Sequence, residues 1–319
     1  MKTNPKIETL SKVRDLCRLR HLALSTEQTY CGWVGSYIDW LMSHGRDLPD
    51  SRARVEAFLT RMAHRGAAAS TQNQCFNALL FLYEQVRGEK LGDVRALRAK
   101  RPRTVRQALS REDTLALLDG VRDEAGYPTR LVVRMLYGCG LRVSEPLNLR
   151  VKDVDVAHSR LMIRGAKGGK DRVVCVPCGL MAEIKDQLKR ARVVWARDQL
   201  DRMPVEVPGL LARKYKNAPH AWQWAWLFPA HRPCKHPRTG ERVRYRMHEA
   251  NVQRSVKLAA RQLGLESLVT PHVLRHCWAT HVLDVGANVR DVQEALGHAS
   301  LETTMGYVHP QTGRLPAVL

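Results

Sequence analysis

The stretch that decides the fold is VKDVDVAHSRLMIRGAKGGKDRVVCV, at residues 151–176. It contains three short runs rich in β-branched and apolar residues, whereas most other patterned segments of the chain follow helical spacing. These runs lie at 154–156, 160–164 and 172–176. Between the last two, Gly168 and Gly169 supply the backbone freedom that a hairpin turn needs. The pattern predicts a three-stranded antiparallel sheet, with Lys167 on an exposed hairpin tip.

The sequence on the N-terminal side of this stretch is helical in pattern. Apolar residues follow three-and-four spacing over three segments, which predicts amphipathic helices. The segments begin near Ser25, Arg52 and Ser70. We expect residues 1–87 to form a small helical domain, residues 88–107 a basic interdomain linker, and residues 108–319 a second domain that contains the sheet. The predicted fold class is therefore mainly α with a small antiparallel β-sheet.

The charge balance points to a polyanionic partner. Lys and Arg number 52 and Asp and Glu 31, which gives a net charge of +21 and an isoelectric point of about 10.1. Residues 1–87 carry +4 and residues 88–319 carry +17. Such a surface binds nucleic acid by neutralising phosphates, although a solvated basic surface or an anionic membrane partner would fit the same balance. Because neither a signal-peptide pattern nor a membrane-length apolar run is present, we expect a cytoplasmic protein and no membrane partner.

Eight cysteines are scattered along the chain, which favours reduced, buried thiols over a disulfide framework. They are Cys17, Cys31, Cys75, Cys139, Cys175, Cys178, Cys234 and Cys277. Only Cys175 and Cys178 have the spacing of a metal-binding pair, and no second pair of ligands follows at a standard spacing. We therefore expect no metal site.

Three separated pieces of sequence carry residues suited to phosphate chemistry. They are GCGLRVSE at 138–145, HVLRH at 272–276, and LGH at 296–298 followed by Tyr307. His272 and Arg275 follow a Thr-Pro pair typical of a helix start, and their spacing places both on one helical face. A second arginine, Arg142, follows the glycines of the first piece. Two guanidinium groups can hold the non-bridging oxygens of a phosphate bidentately.

Each piece alone has a simpler interpretation. A lone Tyr307 is by default a half-buried aromatic residue, and a lone Arg142 is a surface ion-pair partner. His272 and His276 have the spacing of a helical zinc site, but Val273 stands where a metallohydrolase carries its glutamate base. The pieces are informative only in combination.

Taken in chain order, six residues resemble the active-site set of the tyrosine recombinase (phage integrase) family. They are Arg142, Lys167, His272, Arg275, His298 and Tyr307. The resemblance extends to the sequence around these residues, in the segments GLRVSEPLNLRVKDVD, HVLRHCWATHVLDVGA and VQEALGHASLETTMGYVH. It implies that Tyr307 forms a 3′-phosphotyrosyl bond with DNA, that the arginines and histidines act on the phosphate, and that Lys167 is the general acid. We expect no metal, no ATP and no other cofactor, because the reaction exchanges one phosphoester bond for another.

The resemblance also implies an architecture and partners. Residues 1–87 correspond to a core-binding (SAM-like) domain and residues 108–319 to an α+β catalytic domain, which together form a C-shaped clamp around DNA. Members of the family act as a synaptic tetramer in which half of the tyrosines are active at a time. We therefore expect self-association and, in a bacterial cytoplasm, association with the nucleoid.

Within the family, the chain looks like an integron integrase. The similarity lies in STQNQCFNALLFLYEQV at 70–86, in RAKRPR at 98–103, and in an insertion at about 200–246. It implies that gene cassettes are integrated and excised between a duplex attI-type site and a folded single-stranded attC-type site that is recognised by extrahelical bases. One departure is VRYR at 243–246, where the family often carries an Arg-Arg-His-His run.

Aromatic and basic residues of the insertion are the expected contacts to unpaired bases and phosphates. They are Lys214, Lys216, Trp222, Trp224, Trp226, Arg244, Tyr245 and Arg246. Any one of the three tryptophans is about as often a core residue as a binding residue. We expect at least one of them to face DNA.

Three other functions fit parts of the sequence. A generic recombinase or resolvase that acts on duplex sites only would share the chemistry and would remain active without the insertion. A type IB topoisomerase would relax DNA by the same chemistry without joining two sites. A non-catalytic DNA-binding or architectural protein fits the charge, but it has no use for Tyr307 opposite two arginines.

Overall fold

The structure, a computed structural model, describes most of the 319-residue chain. The described residues are 4–44, 48–95, 108–165, 171–207, 211, 214–265, 269–297, 300–305 and 307. The chain divides into two compact units, Met1–Arg106 (unit 1) and Gln107–Leu319 (unit 2). The division falls at the end of the segment expected to be a linker, of which residues 96–107 lie outside the described part.

Helices make up most of the described part of unit 1. They are α1 (Pro5–Leu19), α2 (Leu24–His44), α3 (Ser51–His64) and α4 (Ala69–Leu80), which continues as a π-helical segment (Phe81–Arg87). The sequence predicts all of these except α1, which is polar on average and buries only Val13 and Cys17. Asn4 begins this helix, because its side chain accepts a hydrogen bond of 3.0 Å from the amide of Lys6.

Aromatic residues of α2, α3 and the π-helical segment form the core of unit 1. Tyr37 and Tyr83 are fully buried, and their hydroxyl oxygens are 2.8 Å apart. The rings of Trp40 and Phe58 pack against Tyr37. The two phenol hydroxyl groups thus serve as hydrogen-bond partners for each other within the core.

Unit 2 combines eight described α-helices and three short 3₁₀-helices (Val151–Asp153, Ala218–His220 and Trp222–Trp224) with the predicted sheet. The helices are α5 (Arg111–Gly120), α6 (Thr129–Gly138), α7 (Ser144–Leu147), α8 (Cys178–Leu200), α9 (Glu249–Gln262), α10 (Pro271–Asp284), α11 (Val289–Leu296) and α12 (Leu301–Met305). Helix α6 lies at the centre and packs against α8, α9 and α10. The predicted fold class is confirmed. Of the helices described in either unit, none has both the length and the apolar character to cross a membrane.

The predicted three-stranded antiparallel sheet is present in unit 2. Its strands are β1 (Val154–Asp155), β2 (Arg160–Ile163) and β3 (Arg172–Cys175), in that order. Ile163 at the end of β2 pairs with Arg172 at the start of β3. The connection between these two strands carries Lys167, and its residues 166–170 lie outside the described part.

The segment between α8 and α9 is anchored to the core of unit 2. Trp226, Leu227 and Phe228 are buried, and Trp226 forms a backbone bridge with Arg150. A short ribbon of β4 (Cys234–Lys235) and β5 (Arg242–Val243), which the sequence does not predict, lies within this segment. The insertion is therefore partly structural.

The cysteines only partly follow their prediction. All eight are free thiols. Cys175, Cys178 and Cys234 are exposed, so the expectation of buried thiols is wrong for these three. Cys175 and Cys178 come at the end of β3 and the start of α8, where chain direction changes at the surface. Among the described residues, no three His, Cys, Asp or Glu side chains are grouped as a metal site would require.

Candidate active site

The turn between α6 and α7 requires glycine. Gly140 adopts a φ of +61°, in the left-handed region that favours glycine. A Cβ at this position would lie 2.4 Å from Cε3 of Trp278 in α10. The carbonyl oxygen of Gly140 accepts a hydrogen bond of 2.8 Å from Nη1 of Arg275, which also belongs to α10. The turn therefore brings Arg142, two residues later, close to Arg275.

Glu145, in α7, is the centre of an arginine cluster. Its carboxylate accepts hydrogen bonds from the backbone amide of Arg142 (2.8 Å) and from Nη1 of the same residue (2.9 Å). Arg172 of β3 donates Nη1 to Oε1 (2.9 Å) and Nη2 to Oε2 (2.7 Å). Nη1 of Arg275 lies 3.7 Å from Oε2. Three guanidinium groups face one carboxylate, which leaves a surplus of two positive charges.

Two arginines of this cluster also hold the C-terminal end of α11. Nε of Arg172 donates to the carbonyl oxygen of Ala295 (2.8 Å), and Nη2 of Arg275 donates to that of Leu296 (2.5 Å). The last carbonyl groups of a helix lack partners within the helix and form the negative end of its dipole, so cations stabilise them. The segment that follows α11 carries Tyr307.

Tyr307 lies beside the arginine cluster. Its ring centroid is 4.8 Å from that of His276, with the planes inclined by 49°. The ring is partly buried against an apolar cluster formed by α10 and α11. His276 directly follows Arg275 in α10, so the ring of Tyr307 lies next to the segment that carries this arginine. The structure thus brings Arg142, Arg275 and Tyr307 together.

Burial and charge crowding set the ionisation of the cluster. Arg275 is 1% exposed, and its burial, followed by the charge of Arg142, lowers its pKa to about 10 although Glu145 opposes the shift. For Glu145, burial raises the pKa, but hydrogen bonds from Arg172 and Arg142 outweigh it, so the pKa lies below its usual value. Arg275 therefore remains cationic at neutral pH, and a further anion would relieve the repulsion among the arginines.

The other predicted catalytic residues are described only in part. His272 lies in the first turn of α10, three residues before Arg275, and the predicted start of this helix at Pro271 is confirmed. His272 is exposed whereas Arg275 is buried, so the two lie at different depths. Lys167 and His298 lie outside the described residues.

Sequence reasoning misses two members of the cluster, Glu145 and Arg172. Glu145 comes three residues after Arg142 at the start of a helix, and this spacing was an available signal for an ion pair. Arg172 is 27 residues from Glu145 along the chain, and only the packing of β3 against α11 brings it there. No local pattern predicts that contact.

The insertion forms part of a second candidate site. A pocket of about 1020 Å³ is lined by residues that include Trp224, Tyr245, Lys216 and Arg164. Nζ of Lys152 lies 3.0 Å from the ring centroid of Trp224, which is half-buried. Burial lowers the pKa of this lysine. The cation lies over one face of this partly exposed indole, so a planar group would stack on the opposite face, with its anion near the cation.

Two residues predicted to bind DNA are buried instead. Trp226 is 5% exposed, is covered by the guanidinium of Arg150 at 3.1 Å, and donates Nε1–H to the carbonyl oxygen of Arg244 (3.3 Å). Arg244 is 8% exposed, donates to both carboxylate oxygens of Asp198 (2.5 and 2.8 Å) and to two backbone carbonyl groups. Buried donors need such partners. This burial argues against the predicted contact of Trp226 and Arg244 with DNA, and both residues stabilise the insertion.

Trp222 has a third environment. Its ring packs edge-on against Trp195 of α8, with centroids 5.8 Å apart. The guanidinium of Arg192 lies 4.9 Å from the centroid of Trp222 and 4.3 Å from that of Trp195. Trp222 is not among the residues that line the pocket of Trp224. Of the three tryptophans, only Trp224 combines a half-exposed ring with a position in that pocket.

The remaining residues predicted to bind DNA differ in accessibility. Lys214 and Lys216 are exposed. Tyr245 is half-buried and lines the pocket. Arg246 donates Nη1–H to the carbonyl oxygen of Met247 (3.3 Å), and its Nη2 lies 3.6 Å from Glu249. The two lysines are thus the most accessible cations of this set.

Comparisons with known proteins show the family. Residues 107–314 match the model of the phage integrase family, and residues 10–93 match that of the phage integrase N-terminal SAM-like domain. An integrase/recombinase of Escherichia coli is 38% identical over 308 residues, which cover 95% of this chain and 89% of that protein. The tyrosine recombinase XerA of Pyrococcus furiosus is 33% identical over 257 residues, which cover 78% of this chain and 73% of that protein.

Two solved structures share the fold. The XerH site-specific recombinase bound to a palindromic difH substrate, in a post-cleavage complex, has a TM-score of 0.62 and 21% identity, covering 96% of this chain and 82% of that one. The Tn1549 transposon integrase in complex with transposon right end DNA has a TM-score of 0.60 and 17% identity, covering 96% of each chain. The chain belongs to the phage integrase family and is a site-specific tyrosine recombinase, an enzyme that cleaves and rejoins DNA.

Proposed function

We propose that Tyr307 is the nucleophile of this recombinase and that Arg142 and Arg275 bind the scissile phosphate. The observation that supports this proposal is the surplus of positive charge on the arginines around Glu145, which lie close to Tyr307. The side chain of Arg142 is 23% exposed, against 10% for Arg172 and 1% for Arg275, so Arg142 meets an incoming phosphate first. A phosphodiester carries one negative charge and fits the surplus of the cluster.

The chemistry follows from these positions. Oη of Tyr307 attacks the phosphorus, which forms the 3′-phosphotyrosyl bond and breaks the bond to the 5′ oxygen. The phenolic proton passes to His272 or His298, and Lys167 donates a proton to the leaving oxygen. In the rejoining step a 5′-hydroxyl attacks the phosphotyrosyl phosphorus and the proton transfers reverse. The arginines stabilise the charge that develops on the non-bridging oxygens.

Trapping of the covalent complex tests this assignment. The substrate is a nicked suicide duplex made from DNA that flanks the gene of this protein, in a buffer with EDTA. We expect wild type to become attached to 3′ ends and Tyr307→Phe to bind without attachment. Tyr215→Phe is the matched control, because Tyr215 is an exposed tyrosine of the insertion. Attachment of Tyr307→Phe, or none with wild type, would contradict the proposal.

We further propose that this recombinase integrates and excises integron cassettes, between a duplex attI-type site and a folded single-stranded attC-type site. Support comes from the resemblance of residues 70–86 and 98–103 to integron integrases. The pocket of the insertion adds to it, since Trp224 and Lys152 offer a ring and a cation for an extrahelical nucleotide.

The pocket makes this proposal testable with two neighbouring tryptophans. Stacking of one base contributes about 1–3 kcal/mol, so we expect Trp224→Ala to weaken binding of the folded strand about 5- to 150-fold. Binding to the duplex site should stay unchanged. Trp222→Ala is the matched control, because Trp222 packs against Trp195 instead. Equal losses for the two variants, or equal losses on both substrates, would argue against base recognition by the pocket.

A recombinase that acts on duplex sites only is the second candidate. The match to XerA of Pyrococcus furiosus fits this candidate as well as it fits an integron integrase. Wild type would then become attached to the nicked duplex and not to either strand of a folded cassette site. A non-catalytic DNA-binding role would leave binding intact and give no attachment to either substrate.

The assembly proposed for this chain follows the family resemblance. Residues 1–87 act as the core-binding domain, residues 88–107 as a basic linker along the DNA, and residues 108–319 as the catalytic domain. Four protomers hold two sites in a synapse, in association with the bacterial nucleoid. Sedimentation of the protein with two site-bearing duplexes measures this stoichiometry.

A further inference from the structure

Arg172 occupies a junction between the hairpin and the arginine cluster. It is the first residue of β3 and directly follows the connection that carries Lys167. Its side chain is 10% exposed. Side chains alternate across a strand, so Arg172 lies on the same face as Val174, which is buried in the core of unit 2. The guanidinium is therefore directed into the domain.

Each nitrogen of this guanidinium has an acceptor on another element. Nη1 and Nη2 donate to the two oxygens of Glu145 in α7 at 2.9 and 2.7 Å. Nε donates to the carbonyl oxygen of Ala295 at the end of α11 at 2.8 Å. One planar group thus joins three elements of the chain. A lysine could not do so, because its ammonium group is a point donor without the bidentate fork.

The surroundings leave this side chain little freedom. A Cβ at Gly297, the residue after α11, would lie 3.2 Å from Cδ of Arg172 and 3.3 Å from its Nη1. Gly297 has a φ of +63°, so glycine is favoured there for its backbone as well. Gly297, at the end of α11, therefore packs closely over Arg172.

Arg172 is poorly placed to bind the phosphate itself. Its three nitrogens already donate to protein oxygens, and its side chain is less exposed than that of Arg142. Its charge still acts on the site, because, after burial and the charge of Arg142, it is a further cause that lowers the pKa of Arg275. Its contribution to the reaction is thus indirect.

We propose that Arg172 is a positioning residue that couples the β2–β3 hairpin, and with it Lys167, to the arginine cluster and to the end of α11. The proposal rests on the roles proposed above for Lys167 and Tyr307. In the proposed reaction the hairpin carries the acid, and the segment that follows α11 carries the nucleophile. Arg172 fixes both relative to Glu145, which in turn holds Arg142. Without Arg172, the acid is no longer aligned with the leaving oxygen.

A substrate with sulfur in place of the 5′-bridging oxygen tests this coupling. A thiolate leaves without needing a proton, so the reaction no longer depends on the acid. We expect Arg172→Gln to slow single-turnover cleavage of the ordinary duplex about 100-fold, as displacement of a catalytic group does. On the sulfur substrate, the cleavage rate of Arg172→Gln should rise by about tenfold or more, and that of Lys167→Ala should rise in the same way. Arg160→Gln, at an exposed arginine of β2, is the control and should cleave both substrates like wild type.

The outcomes separate this inference from the function on which it rests. Recovery of both Arg172→Gln and Lys167→Ala on the sulfur substrate supports the coupling. The coupling is overturned if only Lys167→Ala recovers on the sulfur substrate, or if Arg172→Gln cleaves the ordinary duplex at the wild-type rate. In both cases the acid assignment still stands. Failure of Lys167→Ala to recover overturns the acid assignment itself, and the coupling with it. Arg172→Lys provides the same comparison if Arg172→Gln does not fold, because it keeps the charge and loses the fork.

Discussion

Substitution of Gly140 by alanine should damage both the stability of unit 2 and the active site. Gly140 has a φ of +61°, and a Cβ there would lie within 2.4–2.7 Å of three atoms of the Trp278 ring. Trp278 belongs to α10, which also carries Arg275, and the carbonyl oxygen of Gly140 holds the guanidinium of Arg275 at 2.8 Å. The added methyl group therefore pushes apart two segments that together position Arg275, the arginine proposed to bind the phosphate.

The magnitude has two separable parts. A left-handed φ costs a residue with a Cβ about 1–2 kcal/mol. Forcing an extra methyl group into a packed contact adds about 1–3 kcal/mol. Gly140→Ala should thus lower the free energy of unfolding by about 2–5 kcal/mol. Gly264→Ala isolates the first part, because Gly264 has a φ of +70° and no atom of the described residues lies within 4 Å of the position that its Cβ would take.

The assay is urea denaturation of both variants, combined with single-turnover cleavage of the suicide duplex. We expect Gly140→Ala to lose about 1–3 kcal/mol more than Gly264→Ala, and Gly140→Ala alone to cleave slowly. Adding Trp278→Leu to Gly140→Ala should restore part of the excess loss, because the smaller side chain relieves the contact. Equal destabilisation by the two glycine variants, or normal cleavage by Gly140→Ala, would refute the reasoning.

Two further substitutions follow from the ion pairs of unit 2. Glu145→Gln should lower the free energy of unfolding by about 3–5 kcal/mol at neutral pH, because a buried arginine cluster loses its carboxylate. The pKa of Glu145 in the folded protein lies below its usual value, so the stability that its carboxylate contributes is full above about pH 4.5 and is lost as the pH falls through the folded pKa. In urea denaturation the difference in unfolding free energy between variant and wild type should therefore become smaller in acid. A difference that does not change with pH would argue against the pairing. Asp198→Asn should cost about 3–5 kcal/mol, since the buried guanidinium of Arg244 would lose its partner. Hydrogen exchange should then speed up in residues 214–246, and unchanged exchange there would show that the pair does not anchor the insertion.

Local pattern was sufficient for much of the fold. The three β-like runs of residues 151–176 predict the sheet, because strand residues and turn glycines are local signals. Helices rich in apolar residues, such as α2 and α4, are predicted for the same reason. Helix α1 is missed because its burial depends on packing against α2 more than on its own pattern.

The tryptophans of the insertion show where local pattern fails. Trp222, Trp224 and Trp226 alternate within five residues, yet one packs against α8, one lines a pocket and one is buried under Arg150. The segment has little regular structure, so no period relates position to burial. Neighbours distant in the chain decide each environment.

The sequence by itself determined the fold class, the family and the candidate residues Arg142, Arg275 and Tyr307, because residue type and order carry that information. Only the tertiary structure decided that Glu145 and Arg172 join them. Glu145 accepts hydrogen bonds from Arg142 and Arg172 and lies 3.7 Å from Arg275, and Arg172 reaches it from a strand 27 residues away. An ion cluster of this kind arises from the packing of α7, β3 and α10, and no single segment encodes it.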